Sequence, residues 1–340
     1  MGSTKSNTSF ISFLPVSLFG GILGMTGLTF SWRLAEAKWG FPHWMSKAIG
    51  LLTIVLFLAL FTAYLVKLIK YPSTVINEFN NPVSSPFFTT FIVSLLLLPG
   101  IVLPFSERIA TVVWSAGVAL IILFTLLVLG KWMRIQQNTS DAQPSWLLPV
   151  VGMLDVPIVG SQLHIAGARE ICLYCFAVGV FLAIIILPIV FARLFFQSPL
   201  PEALQPTLLV LLLPFAIGYS DYEALTGTRD IMGSVLYYSG FFLLVLLVRR
   251  IFLLPKCCPF RVSWWSVSFP LAAITIASFR YASHPTPVPV QWIPAVLLPL
   301  LTLTLLYLLT ITFYRIITNR LFLNNSTAEN ASKGLQTSMR

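Results

Sequence analysis

The sequence predicts an all-α integral membrane protein made almost entirely of spanning helices. Three observations carry this. First, of 340 residues, 57% are apolar and only 9% charged, with a mean hydropathy of +0.88. A soluble domain carries about 25% charged residues, so this chain cannot clothe a globular surface of its own size. Second, the apolar residues fall into runs of about the 20 residues that a spanning helix needs, separated by short loops rich in charge, Pro, Gly and Asn. Third, the cations are unevenly shared between alternate loops. Together these exclude a soluble enzyme, a disordered chain and a small disulfide scaffold. The formal net charge of +10 comes from cations scattered singly through loops, with no basic run interleaved with aromatics, so nucleic acid is not a partner. Topology and attraction of anions both account for such an excess.

Ten spans follow in order, near 12–32, 43–69, 86–104, 108–130, 146–164, 170–193, 206–224, 231–253, 264–283 and 290–317. The odd ones each carry proline inside the apolar run. These are Pro15 in the first, Pro99 in the third, Pro149 and Pro157 in the fifth, Pro214 in the seventh and Pro270 in the ninth. An internal proline removes one helix hydrogen bond and bends the helix. The carbonyls four residues earlier, such as those of Val210 and Ser266, then need partners that lipid cannot supply. The even spans are smoother, Pro188 and Pro299 excepted. The odd spans are therefore expected to form an inner, kinked set and the even spans an outer sleeve.

Ten spans put both termini on one side. Of the 21 Lys and Arg, Arg33, Lys38, Lys47, Arg108, Arg169, Arg229 and Arg280 fall opposite the termini and the other 14 beside them. That asymmetry places both termini in the cytoplasm. The polar tails, 1–11 and 319–340, flank a membrane domain over 12–318, and no signal peptide pattern opens the chain. Sequons at Asn7, Asn138 and Asn325 fall on the cytoplasmic side and read as chance. Trp32, Trp39, Trp44, Trp146, Trp264, Trp265 and Trp292 sit at span ends, as in an aromatic belt. Cys172 and Cys175, and the adjacent Cys257 and Cys258, lack a second ligand pair at zinc spacing and read as buried or incidental thiols.

The segments FLPVSLFGGILGMTGLTFSW in span 1, YPSTVINEFNNPVSSPFF after span 2 and WWSVSFPLAAITIASFRY in span 9 resemble the tellurite-resistance/dicarboxylate transporter family. That family includes bacterial tellurite-resistance proteins, yeast malate and sulfite transporters and plant guard-cell slow anion channels. The resemblance runs from about residue 10 to 318. It implies ten helices as five hairpins around a central pore, with the odd helices lining it, in a homotrimer of the plasma membrane (the inner membrane in a bacterium). It implies passive passage of small anions such as chloride or nitrate. A proton-linked carrier for malate-type dicarboxylates, sulfite or tellurite-related anions is the alternative.

By the ninth-span motif, the phenylalanine that occludes the family's pore is Phe269. It lies five residues into the span, about 8 Å along the axis. Pro270 restricts the backbone before it and so supports the ring's direction. A ring across a narrow lumen excludes water and ions together. Ser17, Gly20, Gly24, Ser94, Gly152, Gly218 and Thr275 are expected to line the lumen, because free carbonyls would repel an anion and small or hydroxylic residues would not. The polar ones have an alternative: each can bond its own backbone four residues back.

Asp155, about nine residues into span 5, lies near the bilayer centre, where a charge is expensive. It serves either as a proton-binding group or as a structural carboxyl at the helix break before Pro157. The family motif does not demand an acid there. Asp221, Glu223, Arg229 and Asp230 are expected to form a solvated network at the outer end of span 7. Arg33, Lys38 and Arg280 are placed to draw anions in or to anchor helix ends. His43, His164 and His284 have no ligand partners at metal spacing. No phosphate loop, nucleophile elbow or zinc-protease motif appears. No enzyme activity, metal or cofactor is expected.

Overall fold

The computed structural model describes residues 10–81, 83–257 and 260–318. Residues 1–9 and 319–340, which hold most of both tails with Asn7 and Asn325, lie outside the described residues, as does Cys258. Regular structure among the described residues is helical throughout. In chain order we label α1 Phe19–Trp39, α2 Trp44–Lys70, α3 Pro72–Asn80, α4 Ser85–Val102, α5 Glu107–Arg134, α6 Pro144–Gly160, α7 Ala168–Phe196, α8 Glu202–Thr226, α9 Ile231–Cys257, α10 Val262–Tyr281 and α11 Val288–Ile317. Eight of these, α2, α4, α5 and α7–α11, are long and apolar enough to cross a membrane. The shorter α6, and α1 with its glycines, threonines, Arg33, Glu36 and Lys38, fall below that measure.

Burial separates two sets. In the most apolar stretch of α4, α8 and α10, 72–83% of residues are buried inside the protein. For α2, α5, α7, α9 and α11 the share is only 11–39%. α1 and α6 belong with the buried group, since nearly every residue of Phe19–Leu28 and Leu148–Gly160 is buried. Large apolar side chains such as Leu51, Leu126, Phe181, Phe242 and Leu303 face outward from the other set. That inversion suits a lipid solvent, where helix packing and internal hydrogen bonds hold the fold.

The five buried helices touch in a closed ring, α1–α4–α6–α8–α10 and back to α1. Each packs also against the helix that follows it as an outer neighbour: α1 on α2, α4 on α5, α6 on α7, α8 on α9 and α10 on α11. Every ring helix begins with a 3₁₀ turn: Val16–Leu18, Ser85–Phe87, Pro144–Leu147, Glu202–Leu212 and Val262–Val267. These turns lie side by side around the ring, so the five helices run parallel from one end.

In α8 the proline accounts for the turn, but not quite as expected. The carbonyl of Val210, four residues before Pro214, accepts the N–H of Leu213 in an i+3 bond. Tightening to 3₁₀ geometry thus supplies a backbone partner locally. Pro214 and Pro270 then sit in the first α-turn, where a missing N–H costs little.

The polar stretch after span 2 folds into α3. Pro72 sits at its first position and Val75 is buried. Its Glu78 reaches back across the chain: Oε1 accepts from the N–H of Val16 at 2.7 Å, and Oε2 from Lys67 Nζ at 2.7 Å and the Tyr64 hydroxyl at 3.2 Å. Lys67 Nζ also donates to the Leu14 carbonyl at 2.7 Å. This buried pair ties α2, α3 and the start of α1 together.

Candidate functional site

Two wide grooves, about 840 and 560 Å³, open on the outer wall against α9 and between α5 and α7. They are lined mostly by side chains of the outer helices and the loops beside them. A third cavity is far smaller, about 20 Å³, but all five ring helices line it. Its walls are Gly27 and Phe30 of α1, Leu97 of α4, Ile158 of α6, Ile217 and Ser220 of α8, and Phe269, Ala273, Ile276 and Arg280 of α10. It therefore lies on the axis of the ring and holds space for about one water molecule.

Phe269 forms part of this lining and is 7% exposed. It is the second residue of the α-helical part of α10, after the six-residue 3₁₀ turn Val262–Val267. With about 2.0 Å per 3₁₀ residue and 1.5 Å per α residue, it stands roughly 14 Å from the start of α10 and 18 Å from its end. The expected depth of about 8 Å is thus corrected to near the middle, because the helix starts two residues earlier, at Val262, and 3₁₀ geometry lengthens its first turn.

Small residues on the ring do several jobs. A Cβ placed on the buried Gly20 would meet nothing within 4 Å, so open space adjoins it. One on Gly24 would stand 2.4 Å from Ser268 Cβ, and one on Gly152 would stand 2.5 Å from Ile121 Cδ1 and 2.8 Å from Thr89 Cγ2. These two glycines let helices approach closely, their Cα hydrogens turned toward a neighbouring helix. Gly218 faces Leu236 of α9, 3.9 Å from its virtual Cβ. Ser94 and Thr275 donate to the carbonyls of Thr90 and Leu271, at 2.8 and 2.6 Å. Ser17 is half-buried in the first 3₁₀ turn. The side chains that do line the cavity beside Phe269 are mostly bulky and apolar, and sequence reasoning passed them over.

The cations near the far end of the ring are already engaged. Arg33 donates through Nη1 to the Gly100 carbonyl at 2.6 Å and through Nη2 to that of Ile101 at 3.3 Å, at the last turn of α4. Lys38 donates to the Ala282 carbonyl at 2.8 Å, just past α10. Arg280 lines the cavity and pairs with Glu223 at 3.0 Å, while Glu223 also meets His284 at 3.1 Å. Arg229 donates to the Pro285 carbonyl at 3.0 Å and lies over the Tyr281 ring.

Asp230 accepts from the N–H of Gly233 at 2.9 Å and from the Tyr222 hydroxyl. These bonds, the Gly233 N–H foremost, hold its carboxyl below the ordinary range. Asp221 leaves the expected solvated cluster altogether. It is fully buried, as is Asp155, and among the described residues no hydrogen-bond partner reaches either carboxyl oxygen of either residue. Cys172 and Cys175 are buried free thiols.

A polytopic helical membrane protein with a narrow, largely apolar cavity on the axis of a five-helix ring is the class that these features define. The chain belongs to the voltage-dependent anion channel family named SLAC1, whose model matches residues 14–313. Among its relatives, the S-type anion channel SLAH3 of Arabidopsis thaliana is 27% identical over 81% of this chain and 44% of its own length. SLAH2 of the same plant is 25% identical over 93% of this chain and 62% of its own. An uncharacterized transporter of Methanocaldococcus jannaschii is 26% identical over 76% of this chain and 80% of its own. The chain thus spans 44–62% of the length of these two plant relatives.

Proposed function

We propose that this chain is a passive channel for small anions such as chloride and nitrate, with the axis of the ring as its path and the Phe269 ring as its closure. The observation that carries the reading is the cavity itself: five helices line a space beside Phe269 that has room for about one water. A phenyl ring in so tight a lumen excludes water, and an anion cannot shed its hydration against apolar walls. Membership of the voltage-dependent anion channel family supports the substrate class. On this reading α1 and α6 also cross the bilayer, giving ten crossings as five hairpins, with both termini cytoplasmic by the cation count. The family resemblance further leads us to a homotrimer in the plasma membrane, which a monomeric mass in mild detergent would refute.

The test is reconstitution in liposomes with chloride, nitrate, sulfite and malate in turn, for the native chain and Phe269→Ala. A channel gives macroscopic current with fixed permeability ratios, and the variant leaks more. The second reading, a proton-linked carrier for dicarboxylates or sulfite, is favoured by the two buried acids, Asp155 and Asp221. It predicts saturating, pH-driven uptake at low turnover instead.

A further inference from the structure

Asp155 and Asp221 stand apart from every other acid in the described protein. Glu36 accepts from the Ser46 N–H and hydroxyl, both at 2.8 Å. Glu78 is paired with Lys67, Glu107 with His164, Glu223 with Arg280 and His284, and Asp230 caps α9. Asp155 and Asp221 are both completely buried with neither oxygen bonded within the described residues. They are also neighbours: α6 packs on α8, and Asp155 is the acid whose charge acts on Asp221, with Arg280 opposing it. Two acids with no donor, within electrostatic reach of each other and away from bulk water, cannot both be ionised without heavy cost.

The surroundings offer little compensation. From α7 come the thiols Cys172 and Cys175, and Asp221 acts on Cys172. From α10 come Arg280, already committed to Glu223, and Tyr281. α8 itself carries Tyr219 and Glu223, and α9 contributes Tyr237, which stacks with Tyr281 and tilts against Tyr219. α4 has no ionisable side chain, and those of α5 lie at its two ends. Arg33, on α1, is engaged with the end of α4. The pair also lies just behind the cavity wall. Asp221 follows Ser220, and Asp155 precedes Ile158 by three residues on the same helix; Ser220 and Ile158 both line the cavity.

We propose that Asp155 and Asp221 form a proton-binding pair in the wall of the axial cavity, neutral at neutral pH, whose ionisation at higher pH closes the path to anions. Each step is R–COOH giving R–COO⁻ and a proton that passes to water or buffer; no other bond changes. The inhibitory part rests on the channel reading above; the proton site does not. One unit charge added within about 10 Å of a permeating anion, at an effective dielectric near 20, depresses its occupancy roughly tenfold. Flux should therefore fall by about that factor as the pair ionises.

The experiment has two arms on purified full-length protein. Infrared spectra over a pH series, with and without ¹³C-aspartate labelling, read the carbonyl stretch of protonated aspartic acid. Asp141 and Asp230, the other aspartates of the chain, are not fully buried, and the Gly233 N–H holds the Asp230 carboxyl below the ordinary range. A label-sensitive carboxylic acid band at neutral pH that Asp155→Asn and Asp221→Asn each weaken is the expected result. In liposomes, anion flux should fall as that band disappears, and the Asn variants, fixed in the neutral form, should keep their flux at high pH. Absence of the band from the labelled native protein overturns the site, including where the pair is ionised around water or a sodium ion. The same flux profile in native and double-Asn protein overturns the inhibition. If no anion flux occurs at all, the channel reading has failed, and the infrared arm still decides the proton site. Should the variants fail to fold, the labelled native protein decides it alone.

Discussion

Phe269→Ala removes six ring carbons from the lining of the axial cavity. A void that admits a benzene ring is on the order of 150 Å³, equivalent to about five waters at ~30 Å³ each. The cavity beside Phe269 now measures about 20 Å³. The substitution should therefore widen the space for one water beside position 269 into room for about five. If the ring imposes even about 1.4 kcal/mol on an anion's passage, its removal raises the rate tenfold. The expected increase is at least tenfold, read as chloride-dependent dye quenching in liposomes and as conductance in planar bilayers. Phe269→Leu should fall between the two. A Phe269→Ala protein that elutes and melts as a folded species yet is no leakier than the native one refutes the closure. A core phenylalanine would instead cost about 3–5 kcal/mol of stability on truncation and change no flux.

Three further outcomes follow from the packing. Gly24→Ala should lower the melting temperature, by about 1–3 kcal/mol of overpacking, because its Cβ would stand 2.4 Å from Ser268 Cβ; Gly20→Ala, with nothing within 4 Å, should melt as the native protein does. Glu78→Gln leaves the buried Lys67 ammonium uncompensated and should destabilise by about 3–5 kcal/mol, which thermal denaturation in detergent reads. Asp230→Ala removes the acceptor for the Gly233 N–H. Since the folded-state value of Asp230 is depressed, its stabilisation is full above the unfolded value of about 3.9 and is lost as pH falls through the lower folded value. Native and variant melting points should therefore differ at neutral pH and converge in strong acid.

Much of the architecture could be read from the sequence because lipid makes hydropathy and proline informative. Pro99, Pro149, Pro157, Pro214 and Pro270 mark helices that are buried, and the smoother runs mark helices that face outward. The lining of the cavity could not be read the same way. Span position gives depth but not azimuth, and a glycine facing a lumen looks like one facing a helix. Gly24 and Gly152 proved to be the second kind, while Phe30, Ile158 and Ile276 face the axis. Asp221 sits among charges in the sequence, which predicts a solvated cluster. Its helix face turns instead toward α6 and α7, which no local pattern encodes. Lys67 and Glu78 meet only because the stretch between them folds into α3.

On the channel reading, the parallel ring bears on how an apolar path can favour anions with no ring of cationic side chains among the described residues. All five ring helices start at one end of the path, and each helix N-terminus carries about half a positive charge. That end is therefore positive without any Lys or Arg pointing inward. The opposite end collects five C-termini, whose free carbonyls would repel an anion. There two cations are spent on the backbone: Arg33 holds the carbonyls of Gly100 and Ile101, and Lys38 that of Ala282. Part of the +10 excess thus neutralises helix ends at the mouth of the path. On the channel reading such neutralised ends favour weak binding, which lets an ion leave as readily as it enters.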